Sequence, residues 1–257
     1  MSESGQVQCT CVRQLWNRQH APASTSGHAT PGNIGLLHWR DLADLDCTEE
    51  TCSLLPRGTA IRDLASRLRR LPPSCGPVRL IGVDGHAGSG KSTFAGKLAR
   101  ELGGAPVLRL DDIASHEELF DWTGRLLAQV IVPFGRGESA QYTPYDWHAR
   151  RFGPPHPLPP APVVLVEGVG AGRRALRPYL ARLLWMELPR EEAWARGRSR
   201  DGEEQREFWA GWVRAEQRHF AEDPSRPFAD LLVRQCREGY EVFPGPAGNV
   251  GPDQSIT

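Results

Sequence analysis

Residues 85 to 93 read Gly85-His86-Ala87-Gly88-Ser89-Gly90-Lys91-Ser92-Thr93, the spacing G-x-x-x-x-G-K-[ST] in full. Those residue types at those intervals suit one task, holding phosphate. Glycines let successive backbone N–H groups turn inward around an anion, and the start of a helix adds its partial positive charge. Lys91 supplies a compact cation for the outer phosphates, and the Ser92 hydroxyl is placed to hold Mg2+. Lysine and arginine together number 31, yet only Lys91 and Lys97 are lysine. In that background, a lysine where the loop needs a point charge argues against a glycine-rich turn that binds nothing.

Moving a phosphoryl group to a hydroxyl asks for two acids: a base for the hydroxyl proton and a carboxylate on the Mg2+ side. Asp111 and Asp112 follow Val107-Leu108-Arg109-Leu110, and Glu167 follows Val163-Val164-Leu165-Val166. Alone, an Asp-Asp pair marks a turn, and Glu-Gly marks the region where a helix begins. Beside a phosphate loop, the pair offers two candidate bases and Glu167 a metal-side acid.

Tyr142-Thr143-Pro144-Tyr145-Asp146-Trp147-His148-Ala149-Arg150 gathers aromatics, an acid and a base in an irregular segment. Tyr145 and Trp147 could stack on a planar acceptor, with Asp146 or Arg150 at its polar edges. A hydrophobic plug over a sheet would have the same composition. In Arg196-Gly197-Arg198-Ser199-Arg200-Asp201-Gly202, arginines at spacing two cannot share one helical face, so the run reads as the mobile end of a helix. Arg196 and Arg200 share a face only if that helix persists. There they would close over phosphate as a lid; a solvated basic turn is the ordinary alternative.

These groups need a rigid frame. Val78–Val83 reads as a buried strand, the loop follows, and Phe94, Leu98 and Leu102 give the next segment one apolar face. Further strands are expected at 107–110, 163–166, 183–187 and 229–233. Helices are expected at about 59–71, 117–131, 172–181, 190–199 and 203–221. This alternation predicts an α/β, P-loop NTPase fold with a mostly parallel five-stranded sheet, helices on both faces, and ligands beyond the carboxyl ends of the strands. Proline-rich residues 153–162 read as a stiff connection. Residues 1–56 are expected to be an irregular extension, 57–235 the catalytic domain and 236–257 a flexible tail.

Several classes fall away. Formal charge is zero, so no global field favours nucleic acid or an anionic membrane. No apolar stretch is long enough to span a bilayer and no signal pattern opens the chain, so a cytoplasmic location is expected. Cys9, Cys11, Cys47, Cys52, Cys75 and Cys236 fit no usual zinc spacing and read as free thiols. With lysine only at 91 and 97 there is no Asn-Lys-x-Asp guanine motif, and no Leu-Ser-Gly-Gly transporter signature occurs.

Residues 77 to 233 resemble the uridine kinase family of P-loop kinases. The loop matches in full, and Leu110-Asp111-Asp112-Ile113 resembles the family's strand-end aspartate motif. Tyr145-Asp146-Trp147 is similar to its Tyr-Asp-Phe substrate motif, Val163–Gly168 to its Glu-Gly strand, and Arg196–Asp201 to its arginine-rich lid. Residues 220–230 resemble the segment leading into its last strand. The acceptor side departs: Ile113-Ala114-Ser115 stands where the family carries an aromatic pair, and His148 directly follows Trp147. The resemblance implies ATP and Mg2+ as cofactors and a pyrimidine nucleoside, uridine or cytidine, as acceptor. It makes Asp111 the base, with Asp112 as fallback. Other hydroxyl acceptors, such as a sugar phosphate or vitamin precursor, stay open, as do a non-transferring regulatory ATPase and assembly into a homo-oligomer.

Overall fold

Strict alternation of side chains builds a sheet that is buried on both faces. The computed structural model describes residues 60–237 and 239–249; the expected extension at 1–56, residues 250–257 of the expected tail, and Cys9, Cys11, Cys47 and Cys52 lie outside the described residues. In chain order the strands are β1 (Arg79–Asp84), β2 (Val107–Arg109), β3 (Ala140–Tyr142), β4 (Tyr145–Asp146) and β5 (Arg151–Phe152), then β6 (His156–Leu158), β7 (Val163–Glu167), β8 (Leu180–Met186), β9 (Leu231–Cys236) and β10 (Gly239–Pro244). The helices are α1 (Ala60–Arg69), α2 (Lys91–Glu101), α3 (Thr123–Leu126), α4 (Val132–Gly135), α5 (Arg190–Asp201) and α6 (Arg206–Glu222). A π-helical turn, Leu127–Ile131, joins α3 to α4.

The main sheet has the order β10-β9-β8-β1-β7-β2, parallel throughout except for β10, which runs antiparallel to β9. In β7, Val163 and Leu165 point to the face covered by α1 and α2, where they join Leu64, Leu68, Phe94 and Leu98. Val164 and Val166 point to the opposite face, against Trp122, Leu126, Val130 and Phe134. Fully burying a side chain of this size contributes about 1.5–3 kcal/mol, so a one-residue slip would be costly. By the same alternation Glu167 falls on the α2 face, the face that carries Lys91 and Ser92.

The sheet has six strands where five were expected. Residues 239–244, assigned to a flexible tail, form β10: Tyr240 packs on Phe94 at a ring distance of 5.0 Å, and Pro244 sits at the strand's end on the sheet edge, where no ladder donor is needed. Residues 153–162 are not simply a connection, since β6 within them pairs with β3. The helix expected at 172–181 is only a 3₁₀ turn at Arg177–Tyr179, followed by β8. Pro178 disfavours helix in the residue before it, and the side chain of Asp84 takes the N–H groups of Gly170 and Gly172. The helix expected at 117–131 begins at Thr123 and extends through Gly135. No helix among the described residues is long and apolar enough to cross a membrane.

Candidate active site

Three strand ends meet at one level. Val83 of β1 pairs with Glu167 of β7, and Glu167 pairs with Arg109 of β2. The loop from Gly85, the Glu167 carboxylate and the Asp111–Asp112 turn therefore leave the sheet side by side, at the carboxyl edge where α/β sheets bind ligands.

The loop is shaped by its glycines. Gly85, Gly88 and Gly90 have φ of 147°, 84° and 92°, conformations that L side chains rarely adopt. Lys91 is buried, and its Nζ donates to the carbonyls of Gly85 and His86, both at 2.9 Å. Two of its three N–H bonds thus fix the ammonium over the loop, and the third is left for an anion. The first-turn N–H groups of α2, at Lys91, Ser92 and Thr93, have no helical partner. The buried Ser89 hydroxyl also has none. Asp84 braces the loop from beneath: Oδ1 accepts from the N–H of Gly85 at 2.7 Å and of Gly170 at 2.9 Å, and Oδ2 from Gly172 at 2.8 Å.

The acidic rim divides in two. Glu167 is buried, and burial pushes its carboxyl above the ordinary glutamate range; Lys91 opposes the shift, Asp111 adds to it, and Ser92 and Arg109 oppose it. Arg109 Nε lies 3.8 Å from Glu167 Oε1. Asp111 is exposed, and its charge acts on Glu167 and on Arg200 of α5. Asp112 is half-buried; burial raises its carboxyl, Arg109 lowers it, Asp111 raises it and His156 lowers it. The Tyr142 hydroxyl is raised by burial and by Asp112. Asp111 therefore lies between Glu167 and Trp147, and Asp112 nearer the β3–β6 pair.

Tyr145 and Trp147 join His116 and Phe208 in an aromatic wall beside Asp111. Trp147 Nε1 donates to the Asp111 carbonyl at 3.0 Å. His116 lies 3.0 Å from the Tyr145 hydroxyl, its ring 4.8 Å from Trp147, and Phe208 of α6 is 6.0 Å from Trp147. Asp146 is placed differently: its Oδ1 accepts the N–H groups of His148 at 3.0 Å and Ala149 at 2.9 Å, making the turn between β4 and β5. Arg150 is exposed in the same turn, with φ of 52°, and its charge acts on His116.

The arginine run is not a mobile helix end, because α5 stays helical through Asp201. A Cβ on Gly88 would lie 2.0 Å from the Ala193 carbonyl, so α5 packs its backbone directly on the loop. Arg196 pairs with Glu192 at 2.9 Å on the exposed side of its own helix. Arg200 bonds Asp201 at 2.6 Å; that bond holds its guanidinium above the ordinary range, and Asp111 acts in the same direction. Both arginines are thus paired on α5, Arg196 with Glu192 and Arg200 through Nε and Nη2 with Asp201.

The donor set fits a nucleoside triphosphate and its cation. The unpartnered Ser89 hydroxyl and the glycine-lined turn are a cradle that phosphate oxygens would complete. Among the described residues no three His, Cys, Asp or Glu gather as a metal cage. A divalent ion held by Ser92 and Glu167 would take its remaining oxygens from phosphate and water, the habit of Mg2+. Cys75 and Cys236 are free thiols.

Sequence reasoning passed over Arg109, His116 and Glu216. Arg109 was absorbed into a strand, and His116 was a lone histidine in a loop. Glu216 had a readable signal: with Trp209, Trp212 and His219 it falls on the buried stripe of α6, where an acid is out of place.

No family model matches the chain, and no curated protein matches it. Among solved structures it is similar to a possible uridine kinase from Bacillus stearothermophilus, with 18% identity and a TM-score of 0.49, covering 67% of this chain and 96% of that one. A candidate fructose transport system kinase from Silicibacter sp. TM1040 is 21% identical, with a TM-score of 0.42 and coverage of 53% and 78%. The YGR205w protein is 13% identical, with a TM-score of 0.44 and coverage of 77% and 97%. At these levels of similarity, what the chain does must be read from its own site.

Proposed function

We propose that this protein is a kinase that moves the γ-phosphoryl group of ATP, with Mg2+, to a hydroxyl of a small molecule, and that the acceptor is uridine or cytidine, phosphorylated at its 5′-hydroxyl. One observation carries transfer rather than simple hydrolysis. Asp111 stands where the two halves of the site join: it follows β2, whose end pairs with Glu167, and its carbonyl holds Trp147 of the aromatic wall.

ATP supplies the phosphoryl group, and Mg2+ offsets charge on its oxygens. The loop N–H groups, the Ser89 hydroxyl and the third N–H of Lys91 bind phosphate oxygens. Ser92 and Glu167 hold the cation side. Asp111 takes the proton of the acceptor hydroxyl, which the aromatic wall orients. Arg200 faces the charge that develops between them. Arg196, paired with Glu192, contributes to the outer face of α5. The kinase domain on this reading begins near residue 57 and runs through β10 to Pro244, working in the cytoplasm.

A second acceptor reading has one observation behind it. Arg109 is exposed near Asp112, a guanidinium that would suit a sugar phosphate. Release of ADP from ATP·Mg2+, measured across uridine, cytidine, purine nucleosides and sugar phosphates, separates the two. Uridine or cytidine is expected to raise release above the acceptor-free rate. Release that no acceptor changes would leave an ATPase and remove the kinase.

A further inference from the structure

Glu216 of α6 is fully buried and belongs to none of the steps above. Four donors converge on its two oxygens. Oε1 accepts from His86 Nδ1 at 2.8 Å and Trp194 Nε1 at 3.0 Å; Oε2 accepts from the Ala87 N–H at 3.1 Å and Trp212 Nε1 at 2.8 Å. A carboxylate only accepts, so His86 carries its proton on Nδ1 here. Two donors belong to the phosphate loop, one to α5 and one to α6. Burial works against the charge, yet the bond from His86, the charges of Lys91 and His86 and the bond from Trp212 outweigh it, leaving the carboxyl below the ordinary glutamate range.

Packing repeats the same three-way contact. Gly88 has no Cβ, which lets the Ala193 carbonyl and the Gly197 N–H of α5 approach the loop; one would stand 2.0 Å and 2.8 Å from them. Gly197 in turn makes room for Trp209 of α6, which a Cβ would meet at 2.3 Å. Burying a carboxylate is costly unless each lone pair is used, and here the partners are drawn from the phosphate loop, α5 and α6 together. One of those elements, α5, also carries Arg200.

We infer that Glu216 is a positioning residue that latches α5 to the phosphate loop, so that Arg200 meets the transferred group from a fixed helix and not from a swinging lid. The kinetic consequence rests on the kinase reading; the mechanical one does not. Glu216→Gln keeps the shape but turns an NH2 group against N–H donors, loosening both attachments. Trp194→Phe removes the bond from α5, with part of the indole's volume, and leaves the Glu216 bonds to the phosphate loop in place.

Amide hydrogen exchange and steady-state kinetics on both variants and their double mutant test the latch. Glu216→Gln should speed exchange at 85–90 and 193–201, and Trp194→Phe at 193–201 only. Trp194→Phe should lower kcat about 10-fold or more through misplacement of Arg200, while ATP affinity stays within about twofold. Because one latch is broken either way, kcat of the double mutant should be no lower than that of Glu216→Gln. Unchanged exchange of α5 in Trp194→Phe, or kcat losses that multiply in the double mutant, overturns the inference. Should Glu216→Gln fail to fold, the exchange of Trp194→Phe still decides. If the wild type shows no acceptor-dependent turnover, the kinase reading fails while exchange still reports on the latch.

Discussion

The phosphate side and the acceptor side of the site are built in opposite ways. The phosphate side comes from one contiguous string, Gly85–Thr93, set between β1 and α2 and braced from several sides: Lys91 by two carbonyls, the loop by Asp84 and Glu216. The acceptor side is assembled from Asp111, His116, Tyr145, Trp147 and Phe208, which come from loops, a two-residue strand and a distant helix. A contiguous, braced site suits a ligand group common to many proteins. A dispersed one lets the acceptor change while the chemistry stays fixed.

Substitutions can break that contrast, beginning with the largest effect. Lys91→Ala should lower turnover at least about 10³-fold and abolish ATP binding by calorimetry, because the loop loses its one cation. Asp111→Asn is next, with kcat down about 10²–10⁴-fold and ATP affinity nearly unchanged, as for a positioned base. Asp112→Asn should instead raise the acceptor KM; a dead Asp112→Asn beside a fully active Asp111→Asn moves the base by one residue. Trp147→Ala should raise acceptor KM about 10-fold while leaving the KM for ATP alone, which keeps the two halves separable.

Acidification sharpens the same contrast. The raised carboxyl of Glu167 takes up a proton at a higher pH than a free glutamate does, and only its charged form can serve the cation. Mg2+ affinity should therefore weaken as pH falls through a range above that of ordinary carboxylates. Glu167→Gln should bind Mg2+ weakly at every pH and lose that limb. A Mg2+ titration that is flat across pH in the wild type would remove Glu167 from the metal side.

What could be read in advance follows the same division. The loop, β1, α2, β7 and Glu167 were legible because their signals are local: a fixed spacing, a period of two and a period of 3.6. β10 was not, because Gly239 and Pro244 frame it with breaker residues and its place depends on pairing with β9. The β3–β6 pair hid within prolines, which sheet edges tolerate. Asp146 reads as a substrate ligand by type and position, and what the sequence did not disclose is that its Oδ1 also closes the turn between β4 and β5. Arg196 and Arg200 looked equivalent by spacing, and the folded helix gives them different partners, Glu192 and Asp201.

The most direct measurement is a calorimetric titration of the folded protein and of Lys91→Ala with ATP·Mg2+. The account predicts one saturable site in the wild type, with a Kd between about 1 μM and 1 mM, and no heat of binding in the variant. A well-folded wild type that ignores millimolar ATP, or a variant that binds as tightly, would contradict it.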